Sequence, residues 1–127
     1  MPTQVTRDIR VSVESQLSPK HSNPTRGVWF FIYEIEIENV GTDTVQLLSR
    51  HWKITDAHGE LEEVKGPGVV GEQPTLAPGQ SFRYNSGCPL ETPFGCMEGT
   101  YQMKSISGET FDVVIPPFAL RDPSKMQ

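Results

Sequence analysis

The 127 residues (14.2 kDa) fit one domain of the commonest size. Eleven Lys and Arg against sixteen Asp and Glu leave a net charge of −5; this excludes a predominantly basic surface of the kind that displaces counterions from nucleic-acid phosphates. The longest apolar run, Val28 to Tyr33, is far short of the ~20 residues a bilayer-spanning helix needs.

Three alanines against eleven valines favour strand over helix, and apolar residues recur at period two. The first strand places Val5, Ile9, Val11, Val13 and Leu17 on one face, with Arg7 and Ser15 interrupting it. The second places Trp29, Phe31, Tyr33, Ile35 and Ile37 on one face. Val28, Phe30 and Ile32 are also apolar on its other face, which predicts a central strand covered on both sides. Asn39–Asp43 is a turn, a third strand runs Val45–Thr55, and Asp56–Gly59 connects it to a short fourth over Glu60–Lys65. Gly66–Pro74 is too interrupted by Gly and Pro for a regular element. A fifth strand follows over Gln80–Ser86, then a Pro- and Gly-rich connector over Cys88–Gly95 and a sixth strand around Tyr101–Ser105. The last strand contains Phe111, Val113 and Ile115 and stops at Pro116-Pro117, leaving Arg121–Gln127 as a polar tail. About seven strands with turns every 8–15 residues predict a single all-β domain over 1–127, an antiparallel β-sandwich of fibronectin type III or immunoglobulin type. If the strands simply alternate in direction, the Gly66–Pro74 loop shares an end with the Asn39–Thr44 loop and Cys88–Met97 lies opposite. A short extra strand around Gln73–Leu76 would reverse that.

The most conspicuous motif is Gly66-x-Gly68-x-x-Gly71. In dinucleotide-binding folds that pattern leads into a helix whose N-terminus receives a pyrophosphate. Here Pro74 and Pro78 preclude such a helix. Glu60, Glu62, Glu63 and Glu72 outnumber Lys65 nearby, although Arg50 and Arg83 could come close in space. Loop glycines at positive φ are the simpler reading, with a backbone anion nest as the alternative. Val69 and Val70 are either core or an exposed apolar tip for a partner. His21, His51, His58, Cys88 and Cys96 lack the close spacing of structural zinc ligands. Asn85-Ser86-Gly87 is not a nucleophile elbow, and Glu34, Glu36 and Glu38 read as a solvated face. Trp29 and Trp52 are stacking platforms or core.

Several blocks resemble the ApaG family. They are Arg50-His51-Trp52-x-Ile54-Thr55-Asp56-x-x-Gly59, Val64-x-Gly66-x-Gly68-Val69-Val70-Gly71-x-Gln73-Pro74, and Leu76-x-Pro78-Gly79-x-x-Phe82-x-Tyr84-x-Ser86-Gly87. Pro89-Leu90-x-Thr92-Pro93-x-Gly95-x-Met97-x-Gly99-x-Tyr101-x-Met103 and the ending Phe111-x-Val113-x-Ile115-Pro116-x-Phe118-x-Leu120 continue the likeness. The resemblance implies a fibronectin type III-like sandwich and a bacterial, stand-alone, cytosolic protein. Bacterial relatives are named from a gene neighbourhood with diadenosine-tetraphosphate hydrolysis and have been linked to cobalt and magnesium handling. Eukaryotic relatives carry the domain within F-box proteins and a DNA-polymerase-delta-interacting protein. The family brings no catalytic residues with it.

The functional expectation is a non-catalytic module that binds a protein partner through Gly66, Gly68, Val69, Val70, Gly71, Gln73 and Pro74. The alternative is a nucleotide or polyphosphate response protein, or one responding to divalent cations. No cofactor, metal, membrane or nucleic-acid partner is expected, and free edge strands would allow a homodimer. The first residues, Met1–Asp8, contain no apolar stretch of signal-peptide length. With two cysteines, too few for a disulfide framework, this leads to a cytoplasmic expectation.

Overall fold

The computed structural model describes residues 1–125. Among the described residues, nine antiparallel strands form two facing sheets: β1 (Thr3–Thr6), β2 (Ile9–Leu17), β3 (Trp29–Asn39), β4 (Val45–Asp56), β5 (Leu61–Pro67), β6 (Thr75–Leu76), β7 (Ser81–Leu90), β8 (Phe94–Ser105) and β9 (Thr110–Arg121). One sheet has the order β1-β2-β3-β7 and the other β5-β4-β8-β9, with β6 also paired to β4. The core between them takes alternate residues from each strand, including Val11, Phe31, Ile35, Leu47, Tyr101, Met103 and Ile115. Fully burying each such side chain contributes about 1.5–3 kcal/mol.

The nine strands, against about seven expected, arise from two local features. The first expected strand is a hairpin, because Arg7 and Asp8 both take positive φ (49° and 63°) and turn the chain between β1 and β2. Asp8 tolerates a left-handed backbone but Arg7 does not favour one, so the pair lacks the Asn-Gly or Asp-Gly signature of such turns. The second feature is β6. It pairs antiparallel with β4, as β5 does, and so continues β5's direction instead of reversing it. Asn39–Thr44 and Ser107-Gly108 therefore lie at one end of the sandwich and the β7–β8 turn at the other. Gly66–Pro74 lies at neither end. It is an excursion from the sheet edge, leaving opposite Ser49 and rejoining opposite Gln46.

Four further expectations are corrected. The Pro- and Gly-rich connector is mostly strand: Pro89 pairs with Phe30 within β7, an edge strand where a missing N–H leaves no ladder bond unmade. Pro116-Pro117 likewise lie inside β9, also an edge strand, and do not end it. The tail is tied down as far as it is described. Asp122 is 3 % exposed and accepts from the Trp29 indole at 3.1 Å, and Pro123–Lys125 form a single helical turn. Burial of β3 is also one-sided, with Phe30 and Ile32 only partly covered on the outer face. Gly87 leaves room there for the Phe30 ring, which a Cβ would meet at 2.3 Å.

Candidate functional site

A β-bulge at Leu48 organises the side of the sandwich carrying the glycine motif. Val45 and Leu47 point into the core; the register against β8 then skips Leu48, and beyond it the inward positions are Arg50, Trp52 and Ile54. Bulges re-aim side chains in this way, and the result here is an arginine facing the interior directly opposite Tyr101. On the other side of β4, Arg50 is paired with Gly66 and Trp52 with Val64.

Arg50 explains Gly66. A Cβ on Gly66 would stand 3.0–3.1 Å from three atoms of the guanidinium, so the absent side chain is the space that the guanidinium fills. From there Nη1 donates to the carbonyls of Pro67 and Gly68, both at 2.9 Å. The skipped Leu48 carbonyl accepts from the Gly68 amide at 2.8 Å and from the Gln73 side-chain amide at 2.9 Å. Pro74 is fastened by the Leu47 amide, which donates to its carbonyl at 3.0 Å. Both feet of the loop thus stand on residues 47 and 48.

Between the feet the loop is a two-residue hairpin. Val69 and Glu72 exchange amide–carbonyl bonds of 2.8 and 2.9 Å, with Val70 (φ 43°) and Gly71 (φ 81°) as the central pair. Positive φ at both central residues is the type I′ requirement, normally met by Asn-Gly. Val69 is 1 % exposed and belongs to the core, whereas Val70 is 55 % exposed at the tip. The two valines are placed differently, one an anchor in the core and one exposed at the tip. Gly68 (φ 58°) is needed for space as well, because a Cβ there would come within 2.2 Å of the Glu72 carbonyl oxygen. The amides of Gly68, Val69 and Glu72 all donate within the protein.

Sequence reasoning missed the organising role of Leu48 and Arg50. The signal was the switch of apolar positions in β4 from odd numbers (Val45, Leu47) to even ones (Trp52, Ile54). Trp52 is core, 3 % exposed and edge-on to both Tyr33 (5.5 Å) and Phe118 (6.0 Å). Tyr33, Tyr84 and Tyr101 all have their phenols pushed up in pKa by burial, and the Cys88 thiol is pushed up to about 11 for the same reason. The three histidines stand apart in function. His21 bonds Ser18 at 2.7 Å, His51 pairs with Glu63 at 2.8 Å and His58 sits exposed in a turn. Among the described residues no group of three His, Cys, Asp or Glu comes together to hold a metal ion. Glu34 and Glu36 pair with Arg83, and Glu38 with Arg10.

Residues 19–105, which contain this whole site, match the ApaG domain family. The chain belongs to the ApaG family. A protein named ApaG from Beijerinckia indica is 50 % identical over 127 residues, covering all of this chain and 98 % of that one. An ApaG protein from a Bradyrhizobium strain is 56 % identical over 119 residues, covering 94 % and 92 %. The crystal structure of an ApaA protein from Bordetella pertussis is 45 % identical with a TM-score of 0.89, covering 96 % of each chain. Another X-ray structure, 43 % identical, also gives a TM-score of 0.89 and covers 98 % of this chain and 94 % of its own. Both solved structures thus share this sandwich along nearly its whole length.

Proposed function

We propose that this ApaG-family domain is a non-catalytic binding module whose fibronectin type III-like sandwich presents the Val70-Gly71 tip to a protein partner in the cytoplasm. The observation that carries the reading is Val70: a β-branched residue in the left-handed region, more than half exposed, on a loop anchored through Val69 in the core and through Gly68 and Gln73 on Leu48. Such a conformation costs about 1–3 kcal/mol, and Asn at the same place would avoid most of it. Keeping an apolar, strained residue at the tip of a rigid loop is consistent with a contact made outside the chain. Free Cys88 and Cys96 suit a reducing compartment.

The test is affinity capture from lysate with the full chain and two single variants, Val70→Asn and Val70→Asp. Val69 stays untouched, since replacing it would disturb the core. Both variants are expected to fold and to lose the specific partner band. Undiminished capture by both would reject this tip as the contact.

A further inference from the structure

Beside the glycine loop, on the side of the sandwich where the free edges β5 and β7 face each other, lies a cleft of about 260 Å³. At one end is Arg50. Its Nη1 is committed to two carbonyls, but among the described residues Nε and Nη2 donate to no acceptor and no carboxylate lies within ion-pair distance. An inward-turned guanidinium with half of its fork unspent is a receptor for a planar anion. Across the cleft stand Tyr33 and Ser86, direct partners in the β3–β7 ladder and so on the same inner face. Burial keeps the Tyr33 phenol protonated well beyond neutral pH, so it remains a donor. The Cys88 thiol, also raised, adds no charge. The walls between are apolar, from Trp52, Ile54 and Val64.

We propose that this cleft binds a monoanionic carboxylate carrying a short apolar group, with Arg50, Tyr33 and Ser86 on the carboxylate and Trp52 and Val64 against the apolar part. The single cation and the overall acidity of the chain favour one negative charge over a phosphate's two. Glu62 fixes the orientation. It lines the same cleft but pairs with Ile54, four residues along β4 from Arg50; at ~3.3 Å per residue that puts it about 13 Å from the Arg50 position. The anionic end is therefore held at Arg50. The volume lies just under the ~300 Å³ where drug-sized pockets begin, so the ligand is a small acid or the last residue of a polypeptide entering between the two free edges. Neither depends on Val70 contacting a partner.

The experiment is an amide NMR titration of the full chain with 4-methylpentanoate, with 4-methylpentanol as its neutral counterpart. Saturable shifts are expected at Val64–Gly68 and Tyr84–Cys88 with a Kd of about 1 mM, and binding of the alcohol about tenfold weaker or more. Arg50→Lys keeps the charge but not the fork and is expected to bind at least fivefold more weakly. Because Arg50 also holds the loop, Ser86→Ala supplies a variant that leaves the loop bonds intact and is expected to weaken binding about tenfold. A second arm compares acetyl-Gly-Gly-Val-Leu as free acid and as C-terminal amide. A free acid tighter than 4-methylpentanoate assigns the cleft to polypeptide ends, and one no tighter assigns it to small acids; either supports a carboxylate site. No saturable shift with either acid, equal binding of acid and alcohol, or wild-type binding by both variants would overturn it. If Val70→Asn retains its partner while the acid binds, only the tip reading fails.

Discussion

Two hairpins in this molecule put at positive φ a first central residue that avoids it, Arg7 and Val70, and they differ in what the rest of the fold gives back. At Arg7-Asp8 the strain is offset locally. The Arg7 guanidinium pairs with Glu109 and lies 4.8 Å over the Phe111 ring. The Asp8 carbonyl accepts from the Val40 amide at 2.9 Å, and Gly41 leaves room for Asp8, whose Cβ a Gly41 side chain would meet at 2.7 Å. At Val70-Gly71 the supporting residues are equally ordered, but the strained one is not among them. Val69 is locked in the core and Gly68 and Gln73 are bonded to Leu48, while the Val70 side chain stands in solvent. In the first turn strain accompanies packing, and in the second the packing has been arranged around a residue that gains nothing from it. Strained positions that the fold does not use cluster at functional sites.

The largest effect expected in testing this contrast belongs to Gly68→Ala. The new methyl would meet a backbone oxygen at 2.2 Å, which cannot yield like a side chain, so the hairpin must open. We expect a loss of about 4 kcal/mol in chemical denaturation, with the loop amides losing protection from hydrogen exchange. Next is Val69→Ser, which removes a buried anchor and leaves a hydroxyl in its place. A loss of about 3 kcal/mol is expected, and a change below about 0.5 kcal/mol would mean the anchor carries no load. Arg7→Ala keeps the left-handed turn but removes the contacts with Glu109 and the Phe111 ring, and should lower stability by about 1 kcal/mol. Val70→Asn goes the other way. Asn relaxes the left-handed backbone, and the largely exposed valine gives up little packing, so a thermal melt should show a gain of about 1 kcal/mol. If Val70→Asn destabilises as much as Arg7→Ala, the two turns are alike and the tip's strain carries no functional message.

Alkaline titration adds a check on the interior behind the loop. The Cys88 and tyrosine pKa values are raised in the folded state, so their contribution to stability is complete below the unfolded values of 9.0 and 10.0. It is lost as the pH climbs through the folded ones, reached for Cys88 at about 11. Denaturation midpoints should therefore fall from pH 9 upward, and Cys88→Ala should flatten the early part of that fall.

How much of this was legible follows from which residues carry period-two information. The inward rows of β2 and β3 could be read directly, because Ile9, Val11, Val13, Phe31, Ile35 and Ile37 alternate without interruption and are all buried. The outer face of β3 misled, because Phe30 and Ile32 are apolar yet only partly covered by local neighbours such as His21, whose ring lies 5.7 Å from that of Phe30. The prolines misled for a topological reason. Pro89, Pro116 and Pro117 break central strands but not edges, and which strands are edges depends on long-range order. In the candidate site, the glycine loop was visible as composition, but the division between Val69 and Val70 depends on backbone dihedrals. Arg50 depended on a one-residue skip whose sequence trace is the odd-to-even switch of apolar positions in β4 and whose place is fixed by the pairing with β8.

The bulge at Leu48 has one more consequence. The excursion between Gly68 and Gln73 begins and ends on the same carbonyl, and β5 and β6 keep pairing with β4 on either side of it. The segment is therefore an exchangeable cassette plugged into a fixed socket. A foreign peptide grafted between Val69 and Glu72 inherits a ready-made base while the sheets keep their register.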